Sequence, residues 1–237
     1  MTINAEQLKK ECEQFEIELD SVAIDRFDRY AELLIEWNQK INLTAITEPS
    51  AIVTRHFSDS LSFFLAAKPK DRATLIDVGS GAGFPGLPIK IARNDMDVTL
   101  LDGTNKRITF LSEVSKELGL EVATIHARAE EAAVDSKLRE SFDFATARAV
   151  AAMRVLSEYC LGFVKVDGQF IALKGQIGND ELDLSANAIK TMGGRIDRNL
   201  ALNLADGSTR TLVCVKKISQ TPTTYPRRSA KIAKFPL

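Results

Sequence analysis

Apolar residues recur at helical spacing through the first third of the chain, then switch to short unbroken runs separated by further helical stripes. Leu8, Cys12, Phe15 and Leu19 predict a first helix within Ala5–Leu19. Asp20 or Ser21 can cap a second helix, whose Ile24, Phe27, Ala31, Leu34, Trp37 and Ile41 share one face. Trp37 on that stripe reads as a core anchor. Asn42 to Ile46 breaks the pattern, and Thr47-Glu48-Pro49 reads as a cap with proline in the first turn of a new helix. Leu61, Phe63, Phe64 and Leu65 continue in a helical stretch up to a natural junction at Lys68-Pro69-Lys70-Asp71. The expected division is an N-terminal helical region over 1–69 and a second unit over 70–237.

Past Thr74 strands alternate with helices, which implies a parallel sheet. Strands are predicted at 74–78, 98–102, 122–125, 142–147 and 168–173. Helices are predicted at 105–118, closed by Gly119, at 153–164 and at 181–192. Two last strands, 195–204 and 209–218, flank Asp206-Gly207, a hairpin signal.

The stretch that organises this pattern runs from Thr74 to Gly86, Thr-Leu-Ile-Asp-Val-Gly-Ser-Gly-Ala-Gly-Phe-Pro-Gly. A buried strand breaks there into a glycine turn and enters a helix, with Pro85 suited to its first turn. Gly79, Gly81 and Gly83 permit backbone angles that a Cβ forbids and let a ligand approach the main chain. The spacing G-x-G-x-G-x-x-G departs from the dinucleotide fingerprint G-x-G-x-x-G and, with Asp77 two residues ahead, is similar to the first motif of class I S-adenosylmethionine (AdoMet) methyltransferases. The fold class expected is therefore α/β, a Rossmann-like sheet of that class with an N-terminal helical extension. A nicotinamide-dependent oxidoreductase is disfavoured by the same spacing.

Length and composition fit a globular protein that needs no staples: 237 residues and ordinary apolar content. Cys12, Cys160 and Cys214 share no metal or redox spacing, and with only His56 and His126 no metal site is expected. The N-terminal Met-Thr-Ile-Asn has no signal-peptide character and no apolar run is long enough for a bilayer, so a soluble, cytoplasmic protein without membrane contact is expected. A monomer is the expected state, though nothing in the sequence argues for it. The net charge of −1 hides an asymmetry. Ten acidic residues face four basic ones before Trp37, whereas no acid follows Asp206 and Arg210, Lys216, Lys217, Arg227, Arg228, Lys231 and Lys234 do. Beside a cofactor site, a basic tail points to nucleic acid, with Arg227, Arg228, Lys231 and Lys234 as candidate RNA contacts.

Ligands of open α/β sheets bind beyond the carboxyl ends of the strands. Asp102 ends the second strand about 20 residues past the glycines, where an acid accepts from ribose hydroxyls. Ala129 and Glu130 follow the third strand where an adenine ring would rest; Glu130 opening a short helix is the equal alternative. Arg148 ends the fourth strand, pointing to where substrate and cofactor meet, and Lys174 ends the fifth. No Asn-Pro-Pro-Tyr-type loop follows the fourth strand, against methylation of an exocyclic amine, and no cysteine sits at the fourth or fifth strand end, against attack on a pyrimidine C5. Guanine N7 fits what remains, since its exposed lone pair needs no general base. Arg148 donating to O6 would orient the ring.

The chain resembles the RsmG (GidB) family of bacterial small-subunit ribosomal RNA guanine-N7 methyltransferases along most of its length. The likeness is carried by Trp37–Ile46, by His56-Phe57-Ser58-Asp59-Ser60-Leu61, by the glycine turn and by Arg128-Ala129-Glu130. It extends through Ala147-Arg148-Ala149, Ala172-Leu173-Lys174-Gly175 and Tyr225-Pro226-Arg227-Arg228. The resemblance implies methyl transfer from AdoMet to a guanosine N7 in a hairpin loop of 16S rRNA near the decoding centre, on naked RNA or the small-subunit particle. It places cofactor contacts on Gly79, Phe84, Ala129, Glu130 and Arg148. Between Arg228 and Leu237 the chain is less basic than the family pattern. His56 and Asp59, one helical turn apart, are either a packing pair or face RNA. Two other readings stay open: an AdoMet enzyme acting on a small molecule or protein, and a non-catalytic ribosome-binding factor.

Overall fold

The computed structural model describes residues Thr2–Leu237. Helices α1 (Ala5–Glu13) and α2 (Ser21–Ile41) open the chain. The side chain of Asn4 caps the first and that of Asp20 the second. The first helix stops short of the predicted Leu19: Glu16 takes a positive φ of 58°, and the chain turns so that Phe15 is buried. Glu48 caps α3 (Pro49–Ile52), with Pro49 in the first turn as expected. A π-helical turn (Val53–Ser58) runs on into α4 (Asp59–Leu61) and α5 (Phe63–Ala66).

The rest alternates as predicted: β1 (Thr74–Val78), α6 (Gly86–Ala92), β2 (Asp97–Asp102), α7 (Asn105–Glu117), β3 (Val122–His126), α8 (Ala129–Ala132) and β4 (Phe142–Arg148). It continues through α9 (Met153–Cys160), β5 (Val164–Lys174), α10 (Asn179–Thr191), β6 (Gly194–Asn203), β7 (Thr209–Lys217) and α11 (Ser229–Lys234). Pro85 caps α6 rather than entering its first turn. Two further boundaries differ. The ninth helix ends at Cys160, because Val164 already pairs with Phe142 in the sheet. The C-terminal segment, read from sequence only as a charged tail, ends in a short helix whose Ile232 is fully buried.

The seven strands are ordered β3-β2-β1-β4-β5-β7-β6, with β7 antiparallel to both of its neighbours. The chain reverses its direction of travel between β1 and β4, so a crevice opens beyond their carboxyl ends. Alternation along β1 assigns its faces. Leu75 belongs to the core beneath α6, α7 and the N-terminal helices, and Ile76 and Val78 to the opposite core with Met153, Leu156 and Phe170. Leu8, Phe27, Tyr30, Leu34 and Phe57 share one core with Leu87, Phe110 and Leu111, so the N-terminal helices are packed onto one face of the sheet. Trp37 joins that core edge-on to Phe110, at 5.6 Å between ring centroids.

Candidate active site

Asp77, buried in β1, folds the glycine turn back on its strand. Its Oδ2 accepts from Gly86 N at 2.9 Å, and burial pushes its carboxyl up to about 7. Gly79 N and Ser80 N donate to Leu101 O, at 2.8 and 3.0 Å, tying the turn to β2. Asp102 joins the loops after β1 and β2: Oδ2 accepts from Gly81 N at 2.9 Å and Oδ1 from Thr104 N at 2.8 Å. Tyr30 of α2 donates its hydroxyl proton to Ala82 O, so the N-terminal region grips the same turn.

The three motif glycines have different surroundings. Gly79 and Gly81 line a cleft of about 440 Å³ together with Phe84, Asp102, Arg107 and Arg148. A Cβ on Gly81 would meet nothing nearer than 3.9 Å. Gly83 faces away from that cleft: a Cβ there would lie 2.5 Å from the Tyr30 hydroxyl and 2.7 Å from Leu87. Its glycine is required by packing against α2, which corrects the expectation of a cofactor contact.

A recess of about 70 Å³ adjoins the cleft at Gly79, lined by Leu101, Ala129, Glu130, Val150 and Tyr159. The buried Oε2 of Glu130 has no hydrogen-bond partner among the described residues. A second cleft of about 650 Å³ lies across Arg148, lined by Ile46, Arg55, His56, Lys174 and Arg210. Arg148 belongs to the walls of both clefts.

Arg148 is held from four sides. Its Nη1 donates to Asp59 Oδ2 at 2.9 Å and to Arg55 O at 3.0 Å, its Nη2 faces His56 Nδ1 at 3.1 Å, and its guanidinium carbon lies 4.9 Å from the Phe84 ring centre. The His56 ring stacks on Phe84, with centroids 4.3 Å apart and planes 10° from parallel. Since arginine only donates, His56 Nδ1 is the acceptor, and its Nε2–H donates to Thr44 Oγ1 at 2.8 Å. Burial, then the Arg148 charge, pulls the imidazole down to about 3, so it stays neutral. His56 and Asp59 thus hold the strand-end arginine. The other oxygen of Asp59 accepts from Arg210 Nε at 3.0 Å.

Sequence reasoning brought Gly79, Gly81, Phe84, Asp102, Ala129, Glu130 and Arg148 to one crevice, and it missed Arg210, counted only as a tail charge. A signal was present: the Asp206-Gly207 hairpin makes the last strand antiparallel, and Lys174↔Thr211 pairing puts its start beside the end of β5. Lys174 is held by Ala151 O and Glu181, both at 2.9 Å. The tail expectation needs a correction at Arg227. Its guanidinium is engaged by the buried Glu158, with Nη2 at 2.6 Å, so it is a structural group rather than a free RNA contact. Arg228, Lys231 and Lys234 are exposed.

No helix among the described residues is long and apolar enough to cross a membrane. Among solved structures, the chain is similar to the YcgJ protein of Bacillus subtilis, with a TM-score of 0.55 at 14% identity over 69% of this chain and 100% of that one. It is equally similar in fold to a 16S rRNA (adenine(1408)-N(1))-methyltransferase mutant from Catenulisporales acidiphilia, with a TM-score of 0.55 at 13% identity over 63% and 87%. These likenesses show a class I methyltransferase fold. In sequence it is 51% identical to the ribosomal RNA small subunit methyltransferase G of Clostridium perfringens (strain 13), over 97% of each chain. It is 46% identical to that of Alkaliphilus metalliredigens, again over 97% of each. The family model GidB, rRNA small subunit methyltransferase G, matches residues 23–205, and the chain belongs to that family.

Proposed function

We propose that this protein transfers the methyl group of AdoMet to N7 of a guanosine in 16S ribosomal RNA, in a hairpin loop near the decoding centre. The observation that carries this reading is the place of Arg148, in the wall shared by a cleft at the glycine turn and a second cleft beyond it. The first cleft fits the cofactor. Gly79 and Gly81 expose backbone to its amino-acid end, and the Asp102 carboxylate, which lines the same cleft, can accept further from ribose hydroxyls. The unpartnered Glu130 oxygen beside Ala129 suits the amino group of adenine. AdoMet supplies a sulfonium methyl, an electrophile that the protein need not activate.

What is left to the side chains is orientation and exclusion of water. A guanidinium carries five N–H donors, and Asp59, Arg55 and His56 take three of those on Arg148. The remaining Nε–H and one Nη2–H can donate to guanine O6 and leave N7 without a proton. Neutral His56 fixes this choice by accepting only from Arg148. Residues 1–69 supply that clamp through Arg55, His56 and Asp59, and the same region lines the cofactor cleft with Leu43 and Thr44. Exposed Arg228, Lys231 and Lys234 extend the phosphate contacts. The reaction belongs in the cytoplasm, where a monomer meets the RNA or the assembling subunit.

Labelled AdoMet with small-subunit RNA and particles from cells lacking this gene, followed by nucleoside mass spectrometry, tests the reading. The expected product is N7-methylguanosine at one site. No transfer to either substrate with AdoMet binding intact overturns the RNA assignment, and no AdoMet binding overturns the cofactor assignment.

A further inference from the structure

Asp59 is a nearly buried carboxylate, 4% exposed, that divides its oxygens between two arginines of the second cleft. The local backbone prepares this. At the end of the π-helical turn, Asp59 N–H bonds back to Thr54 O and His56 O, and Arg55 O instead accepts from Arg148. One turn therefore presents a carbonyl, an imidazole and a carboxylate to one guanidinium.

The two arginines depend on Asp59 unequally. Without it, Arg148 would still have His56 Nδ1, Arg55 O and the Phe84 ring. Arg210 would keep only the neighbouring Thr209 O, at 3.1 Å. Among the described residues its Nη2 protons and one on Nη1 have no partner, and the side chain lines the second cleft. With one carboxylate between two guanidiniums and His56 neutral, the cluster keeps an uncompensated positive charge. Parallel unused N–H donors beside such a charge match a phosphate diester.

We propose that Asp59 is a positioning residue that acts through Arg210, setting its guanidinium to receive the phosphate beside the target nucleotide. This rests on the RNA reading above. Asp59 does not touch RNA itself. It fixes where the phosphate sits relative to Arg148, and thereby whether the base enters in register.

The test is a double-mutant cycle of Asp59→Asn and Arg210→Ala, reading kcat and KM for small-subunit particles, AdoMet affinity by calorimetry, and the melting temperature. Asp59→Asn is expected to raise KM for particles about 10- to 100-fold, the worth of one charged hydrogen bond, with a separate fall in kcat through its other partner, Arg148, that persists whether or not Arg210 is present. In the Arg210→Ala background the same change is expected to add little to KM. Additive effects on KM, or a fall in AdoMet affinity as large as the change in KM, overturn the assignment. Should Asp59→Asn melt below the assay temperature, Arg210→Lys weakens the same contact from its less buried partner and removes the fork of parallel donors. A raised KM at wild-type AdoMet affinity then supports the proposal, and a wild-type KM overturns it. Failure of the wild-type protein to form N7-methylguanosine overturns the RNA reading and this one with it, whereas additive effects on KM in an active enzyme overturn only the role of Asp59.

Discussion

Arg227 closes on the fully buried carboxylate of Glu158 with its backbone N–H, Nε and Nη2, at 2.7, 2.9 and 2.6 Å. Around this pair the C-terminal segment is strapped to the sheet domain. Arg139 donates to Thr221 O and Tyr225 O, the buried Lys217 bonds Glu140 and Thr221, and Arg154 binds the carbonyls of Pro236 and Leu237.

Removing one partner of such a pair strands a buried charge. Arg227→Ala is expected to destabilise the protein by about 3–5 kcal/mol, read as a lower urea midpoint. The salt dependence of RNA binding should not change its slope. Arg228→Ala should do the reverse, leaving stability intact and flattening the slope of log affinity against log salt by about 0.7. Equal effects of the two substitutions would remove the distinction between them.

Local pattern made the sheet legible. The glycine turn, Asp102 and the Asp206-Gly207 hairpin each carry their signal within a few residues, and strand alternation supplies the rest. The clamp on Arg148 does not work that way. Asp59 and His56 lie 89 and 92 residues from it in sequence, and Glu158 lies 69 from Arg227. No periodicity links such pairs; the first two exist because the N-terminal helices dock on the sheet face, and the third because the C-terminal segment packs against α9. The role of Gly83 was misread for a related reason, since its neighbour Tyr30 comes from a different helix. The π-helical turn also has no compositional mark within Val53–Ser58.

The low pKa of His56 has a stability consequence with a definite sign. Above about 6.5, its ordinary value, the ring is neutral in both the folded and unfolded chain. As pH falls from there toward 3, the unfolded chain takes up a proton that the folded site refuses, so stability drops. Urea midpoints for wild type and His56→Gln should therefore diverge least near pH 4 and most near pH 7. Methyl transfer should show no ionisation of His56 between pH 6 and 8, and a nitrogen spectrum should show protonated Nε2 with bare Nδ1. A doubly protonated ring at pH 6 would contradict the clamp.

Arg148→Lys keeps the charge but cannot reach Asp59, Arg55 O and His56 together. Turnover on small-subunit particles is expected to fall about 100-fold, the cost of misplacing a reacting group by roughly an ångström. Single-turnover kinetics with saturating AdoMet separates this from cofactor affinity. Weakened AdoMet binding with turnover preserved would show that Arg148 serves the cofactor alone.

The two glycines that differ in surroundings should differ in phenotype. Both have positive φ, 61° at Gly81 and 96° at Gly83, so alanine costs about 1–2 kcal/mol of backbone strain at either. At Gly81 the added methyl points into open space on the cofactor side. Gly81→Ala should therefore melt only slightly below wild type while AdoMet affinity falls, because a methyl stands where the ligand approaches the backbone. At Gly83 the methyl would collide with the Tyr30 hydroxyl and Leu87, and the hydrogen bond from Tyr30 to Ala82 O would have to give way. Overpacking adds about 1–3 kcal/mol to the strain, so Gly83→Ala should lose stability first and affinity only as a consequence. Thermal melts and calorimetry on both variants decide it. A Gly83→Ala protein of wild-type stability that binds AdoMet poorly would restore Gly83 to the cofactor site and remove α2 from control of the turn.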